Sequence, residues 1–168
     1  MAKRGVWAVR AALLLGLAYA AISVYWAAGG LWLVDTVSGA LAQQVQAGTV
    51  GGLVVMATWA AAGLKVIAAL LPWLAVRTRY SAAPIARAWQ PRLRTMAWLE
   101  AAALTAYGLI LTSAGLLVES GLITAAPGAD QRALAWHAFL WDPWFLLWGL
   151  LVALGLLLSR ELQPRAEP

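Results

Sequence analysis

The sequence predicts an all-α integral membrane protein, a four-helix bundle with both N- and C-termini in the cytoplasm. Three observations predict it. Hydrophobic residues make up 63% of the chain, well above the roughly 45–50% of a soluble domain. They gather into four stretches, about 11–34, 49–76, 95–118 and 133–158, each long enough as a helix to cross about 30 Å of hydrocarbon. The basic residues alternate with these stretches. Lys3, Arg4, Arg10, Arg77, Arg79, Arg87, Arg92, Arg94, Arg160 and Arg165 fall on one side, Arg132 falls on the other, and Lys65 lies within the second stretch. That asymmetry is the positive-inside pattern and makes the Arg-rich side cytoplasmic. Little chain is left outside the spans, so residues 1–168 read as one membrane domain of a multi-pass protein in a bacterial cytoplasmic membrane.

The first span rises from a basic start. Ala18-Tyr19-Ala20 has the look of a signal-peptidase site, but apolar sequence continues through Ile22, Val24, Trp26 and Leu31 to Val34, which favours an uncleaved helix. An external loop, 35–48, carries no Lys or Arg. The second span returns inward from Thr49, with a Gly48/Gly52 spacing and an Ala60-Ala61-Ala62-Gly63 patch that suit close helix packing in lipid. The cytoplasmic loop Arg77–Arg94 has five Arg and no acid, and Pro84 and Pro91 are expected to interrupt any long helix there. The third span runs outward from Thr95 to Val118. The loop 119–132 turns at Pro127-Gly128, and the fourth span returns from about Ala133, with a kink expected at Pro143 and a frayed polar tail after Leu158.

The composition excludes several classes. The net charge of +5 does not imply nucleic acid, because the arginines flank membrane spans. Arg77, Arg79, Arg87, Arg92 and Arg94 read instead as partners of anionic lipid headgroups. With no cysteine, disulfides, thiolate nucleophiles and Cys-ligated metals are ruled out. His137 has no second His for bis-His haem or zinc ligation, so no cofactor and no metal site are expected.

Three charges lie within the spans. By helical rise, Lys65 sits roughly 4 Å to the cytoplasmic side of the midplane, Glu100 roughly 10 Å to that side, and Asp142 roughly 5 Å to the outer side. Charges at such depths usually turn inward and find partners, so Lys65 is expected to pair with Glu100 or Asp142 in an intramembrane charge network. Ten of the 11 Trp divide into two groups. Trp7, Trp73, Trp89, Trp98 and Trp136 suit an interfacial belt, whereas Trp26, Trp59, Trp141, Trp144 and Trp148 lie deeper. His137, Trp141, Trp144 and Trp148 recur on one helical face. Aromatic packing accounts for such a stripe. So does an outer-leaflet cavity walled by Trp26, Trp59, Trp141 and Trp144, with Tyr25, His137 and Asp142 as its polar points.

The segments Tyr25-Trp26-Ala27-Ala28-Gly29-Gly30 and Trp136-His137-Ala138-Phe139-Leu140-Trp141-Asp142-Pro143-Trp144-Phe145 carry a resemblance. The chain resembles an uncharacterised family of small four-span membrane proteins, a domain of unknown function common in high-GC bacteria. The resemblance implies the four-span fold and brings no catalytic residues with it. The reading favoured by the residues is a non-enzymatic protein binding a lipid or apolar small molecule, as sensor, carrier or accessory subunit of a larger membrane complex. Two alternatives stand beside it: a small transporter, acting as a homo-oligomer, coupled through Lys65, Glu100 and Asp142; and an intramembrane enzyme using Asp142 and His137.

Overall fold

The computed structural model describes residues 2–159. The tail with Arg160 and Arg165, and the side chains of Lys3 and Arg4, lie outside the described residues. Among the described residues all regular structure is helical: α1 (Ala2–Ala27), α2 (Gly39–Gln46), α3 (Gly52–Arg77), α4 (Pro84–Glu119), α5 (Gln131–Trp136) and α6 (Asp142–Leu158). Four helical runs are long and apolar enough to cross a membrane, within α1, in α3, in α4 and across Gln131–Leu158. This is a multi-pass membrane protein with a four-helix core.

The ends of the spans differ from the hydropathy reading, each for a local reason. α1 stops at Ala27, not Val34, because Gly29 takes a left-handed backbone (φ 90). The Gly30 N–H then bonds the Tyr25 carbonyl and the Gly29 N–H bonds the Trp26 carbonyl, both at 2.9 Å, a Schellman closure that satisfies two orphan carbonyls. The expected 35–48 loop holds α2, whose first turn is capped by Ser38 Oγ accepting from the Leu41 N–H at 3.3 Å.

The largest correction is α4. The expected loop 77–94 is mostly helix from Pro84 onward. Pro84 occupies the first turn, where a missing N–H costs nothing and the fixed φ favours helix. Pro91 sits inside the helix but is exposed, so solvent can satisfy the carbonyl it frees. At 36 residues, α4 is about 54 Å long, more than the roughly 40–45 Å of a bilayer with its headgroups.

The fourth span is not a kinked α-helix. A π-turn, His137–Trp141, joins α5 to α6, and the Asp142 N–H bonds the His137 carbonyl five residues back. Pro143 therefore stands at the start of α6, where its ring and missing N–H are tolerated. The wide turn absorbs the strain that a proline inside an α-helix would create.

α6 is the central helix, packed by α1 on one side and α4 on the other. Backbones meet closely where side chains vanish. A methyl added at Gly108 of α4 would collide with the Leu146 backbone, and one at Gly155 would collide with Val9 of α1. Close approach of this kind supplies the dispersion contacts that hold helices together in lipid. The tightest core (Val9, Ala12, Ala69, Ala97, Trp148 and Val152 among others) lies toward the Arg-rich end. There Arg79 Nη1 donates to the Ser159 carbonyl at 2.5 Å, and Arg94 donates to the Leu156 carbonyl at 2.6 Å and to Ser159 Oγ at 3.0 Å. Two guanidinium groups thus cover the orphan carbonyls and the negative dipole end of α6. Arg79 and Arg94, expected at anionic headgroups, are thus also engaged within the protein.

Candidate ligand cavity

The opposite, distal half is built differently. Buried residues of α3 (Ala62, Ala69, Pro72, Ala75 and Val76) all lie in its later part. From Gly51 to Ala61 every residue is exposed except the half-buried Thr58. The first part of α3 therefore leans away from the bundle, and a cavity of about 590 Å³ opens between it, α1 and α2. The distal segment forms its roof. Val34, Val37, Leu41 and Val45 point apolar side chains toward Val50, Val54 and Val55 of the α3 side, and Trp26 closes the α1 wall.

The polar groups gather at the inner end. Lys65 is the one charged residue among the described cavity-lining residues. Its Nζ donates to Ser23 Oγ at 2.7 Å and stands 4.2 Å over the Tyr19 ring centre. The Ser23 hydroxyl in turn donates to the Tyr19 carbonyl at 3.2 Å, so its lone pairs are left to face the ammonium. An oriented hydroxyl and a π-face together solvate a cation that lipid would not.

Behind this wall lies an aromatic cluster. Tyr19 stacks on Trp141 at 5.7 Å, lies 5.3 Å from Trp144 and contacts Phe145 at 4.9 Å. Trp26 meets the edge of Trp141 at 5.4 Å. Indole N–H groups tie the cluster to the backbone and the distal segment: Trp144 Nε1 donates to the Leu15 carbonyl and Trp141 Nε1 to Thr36 Oγ1, both at 3.2 Å. The Trp26 indole donates to the Trp32 carbonyl at 2.8 Å, and the Tyr25 hydroxyl accepts from the Trp32 N–H at 3.3 Å. The pair Tyr25-Trp26 thus clamps the chain leaving α1.

Of the seven residues expected to bind a ligand, the structure brings only Trp26 to the cavity. Trp59 is exposed on the outward face of α3. Trp141 and Asp142 are buried, at 1% and 4% exposure, and both belong to the packed side of the π-turn. Trp144 packs in the aromatic cluster, Tyr25 in the clamp, and His137 against Asp142. The expected charge network is corrected as well. Lys65 bonds Ser23; Asp142 Oδ1 contacts His137 Nδ1 at 3.3 Å; and both Glu100 carboxylate oxygens are buried without a hydrogen-bond partner among the described residues. Depth along a helix follows from sequence, but the direction in which each side chain points depends on packing, and three helices here turn their charges to different neighbours.

The residues missed were Ser23, Tyr19 as a cation platform, and the Val34–Val45 roof. A hydroxyl buried in an apolar span was the signal for Ser23. Nothing local signalled the roof, which depends on α2 folding back over the helix ends. Chemically, the cavity offers an apolar body and one cationic donor. Among the described residues no group of three or more His, Asp or Glu is placed to hold a metal ion.

The chain belongs to the family described as "Protein of unknown function (DUF3995)", which matches residues 16–152. No curated protein and no solved structure matches it.

Proposed function

We propose that this DUF3995 protein binds a lipid or apolar small molecule in the cavity between α1, α2 and α3, as a sensor, carrier or accessory subunit rather than as an enzyme. The carrying observation is the cavity itself. Its volume of about 590 Å³ falls within the roughly 300–1,000 Å³ of small-molecule sites, and its apolar walls with a few convergent polar groups follow the same pattern. The exposed first half of α3 makes one wall, so a ligand enters sideways from the bilayer without crossing water.

The excess of arginine at the other end favours a cytoplasmic location for that end in a bacterial cytoplasmic membrane, which puts the cavity in the outer leaflet. At the arginine-rich end, Arg77 stacks over Trp73 at 4.7 Å and Arg92 over Trp89 at 5.2 Å. Together with Arg87 they suit contact with anionic headgroups.

The test is mass spectrometry of small molecules retained by the full chain extracted in native lipid discs, compared with Ala61→Trp. Ala61 lines the cavity one helical turn from Lys65, and an indole there fills the space. An apolar compound present in near-equimolar amount with the wild type and absent from the folded variant is the expected result. Identical profiles from the two proteins would overturn the proposal.

A further inference from the structure

We infer that the ligand is an amphipathic carboxylate, a single-chain or compact hydrophobic acid whose anionic group rests on Lys65. The inference rests on the cavity reading above and adds the chemistry of the ligand's polar end.

The argument begins with the cost of the lysine. A charge deep in a bilayer costs about 2.5–3.5 kcal/mol on insertion scales and is normally offset by an opposite charge. Lys65 has no such partner among the described residues. Its contacts are the Ser23 hydroxyl and the Tyr19 ring. The two acids of the spans are elsewhere, Asp142 against His137 and Glu100 within the α4 surface without a hydrogen-bond partner among the described residues. An ammonium carries three donors. One is spent on Ser23 Oγ, and the group as a whole faces a cavity whose other lining residues carry no charge.

Charge matching then selects the class. One ammonium is balanced by one carboxylate, whereas a phosphate monoester brings about −1.5 to −2 charges and would strand the surplus in a dry site. Shape points the same way. The lining on α3 runs from Val54 to Lys65, about 16 Å at helical rise, and continues beyond the helix to Val50, with valine, leucine and tryptophan facing it from the other walls. That is a slot for an extended apolar chain with its polar end innermost. Tyr19 and Ser23 hold the ammonium in place before a ligand arrives, so little ordering cost falls on binding.

The test compares palmitic acid with its methyl ester, the same chain without the charge. Equilibrium binding of each radiolabelled probe is measured on the full chain in nanodiscs of neutral phospholipid, with empty discs subtracted. The acid should bind the wild type at least tenfold more tightly than the ester. Lys65→Met should bring that ratio close to one, and Lys65→Arg should keep the preference. Equal binding of acid and ester to wild type, or a ratio that survives in Lys65→Met, would overturn the carboxylate inference and leave the cavity standing. Failure of both probes to bind above empty discs, or undiminished binding of both to Ala61→Trp, would instead overturn the cavity reading itself.

Discussion

At the scale of single residues, two glycines show how differently the same substitution acts. Gly30 has no side chain where the Tyr25 ring lies, and Gly108 has none where the Leu146 backbone passes. A methyl at Gly30 pushes against a ring that is already 45% exposed and can swing outward, losing its contact with the Trp32 N–H. A methyl at Gly108 meets backbone, which can yield only by parting α4 from α6. Gly30→Ala should therefore cost about 1 kcal/mol, the value of one hydrogen bond, and should cost nothing further in a Tyr25→Ala background. Gly108→Ala should cost about 1–3 kcal/mol or more, as overpacking does, with no rescue from Tyr25. Unfolding in one detergent system measures the single and double variants, and equal costs at the two sites would contradict the geometry. The sequence made the Tyr25-Trp26-(x)2-Gly29-Gly30 segment conspicuous without saying what it was for. Its purpose is local: stop α1, turn the chain and clamp it. The same holds for Lys65, whose depth could be read while its partners could not, because Ser23 becomes its neighbour only through the rotation of α1.

At the scale of elements, the legible part was the existence of four apolar spans, since 18 or more apolar residues leave the backbone no option in lipid but helix. What hydropathy cannot place is where helices begin, because that is decided by caps and prolines. Pro84 reads as a breaker in a window average and acts as a starter at the first turn. The π-turn was illegible for a related reason: periodicity assumes 3.6 residues per turn, and one wide turn resets the faces after it. His137 and Asp142, five apart, come together only because of that turn, and Trp141 and Asp142 are buried side by side. Asp130 gives the element scale its prediction. Its carboxylate accepts from the Ala133 N–H at 3.0 Å, capping α5, and from the Gly39 N–H at 2.8 Å, pinning α2 to the other distal loop. Those backbone donors, Ala133 first, hold its pKa below the ordinary Asp value. A depressed folded value means that the contribution is fully present above the unfolded pKa of about 3.9 and is lost as pH falls through the folded value. Asp130→Ala should thus lower the melting temperature by a constant amount from pH 8 to 5, and the gap should shrink below about pH 4. A gap that widens on acidification would reverse the sign and exclude this account.

At the scale of the whole molecule, the bundle is closed at one end and open at the other. The closed end has the alanine-rich core and the arginines on the α6 terminus; the open end has the leaning α3 and a roof held by Asp130, Thr36 and an Arg132–Asp35 pair at 3.0 Å. Which leaflet the open end faces decides where a ligand comes from, and the proposed orientation rests on charge asymmetry. The arginine excess at the closed end opposes translocation of that end, and the bias persists although Arg79 and Arg94 also bond α6, because their charge remains. The length of α4 agrees: its surplus beyond the bilayer carries Arg87 and Arg92 with exposed Ile85 and Trp89, a mixture suited to an anionic interface and ill suited to passage across hydrocarbon. The chain has no cysteine, so one introduced thiol reports one position without background. Gln46→Cys on α2 and Ala82→Cys just before α4 are both at exposed sites. An impermeant maleimide applied to intact cells should label Gln46→Cys and should reach Ala82→Cys only after the membrane is permeabilised. Labelling of Ala82→Cys alone would invert the protein, place the cavity in the cytoplasmic leaflet, and require that the proposed hydrophobic acid be drawn from inside the cell.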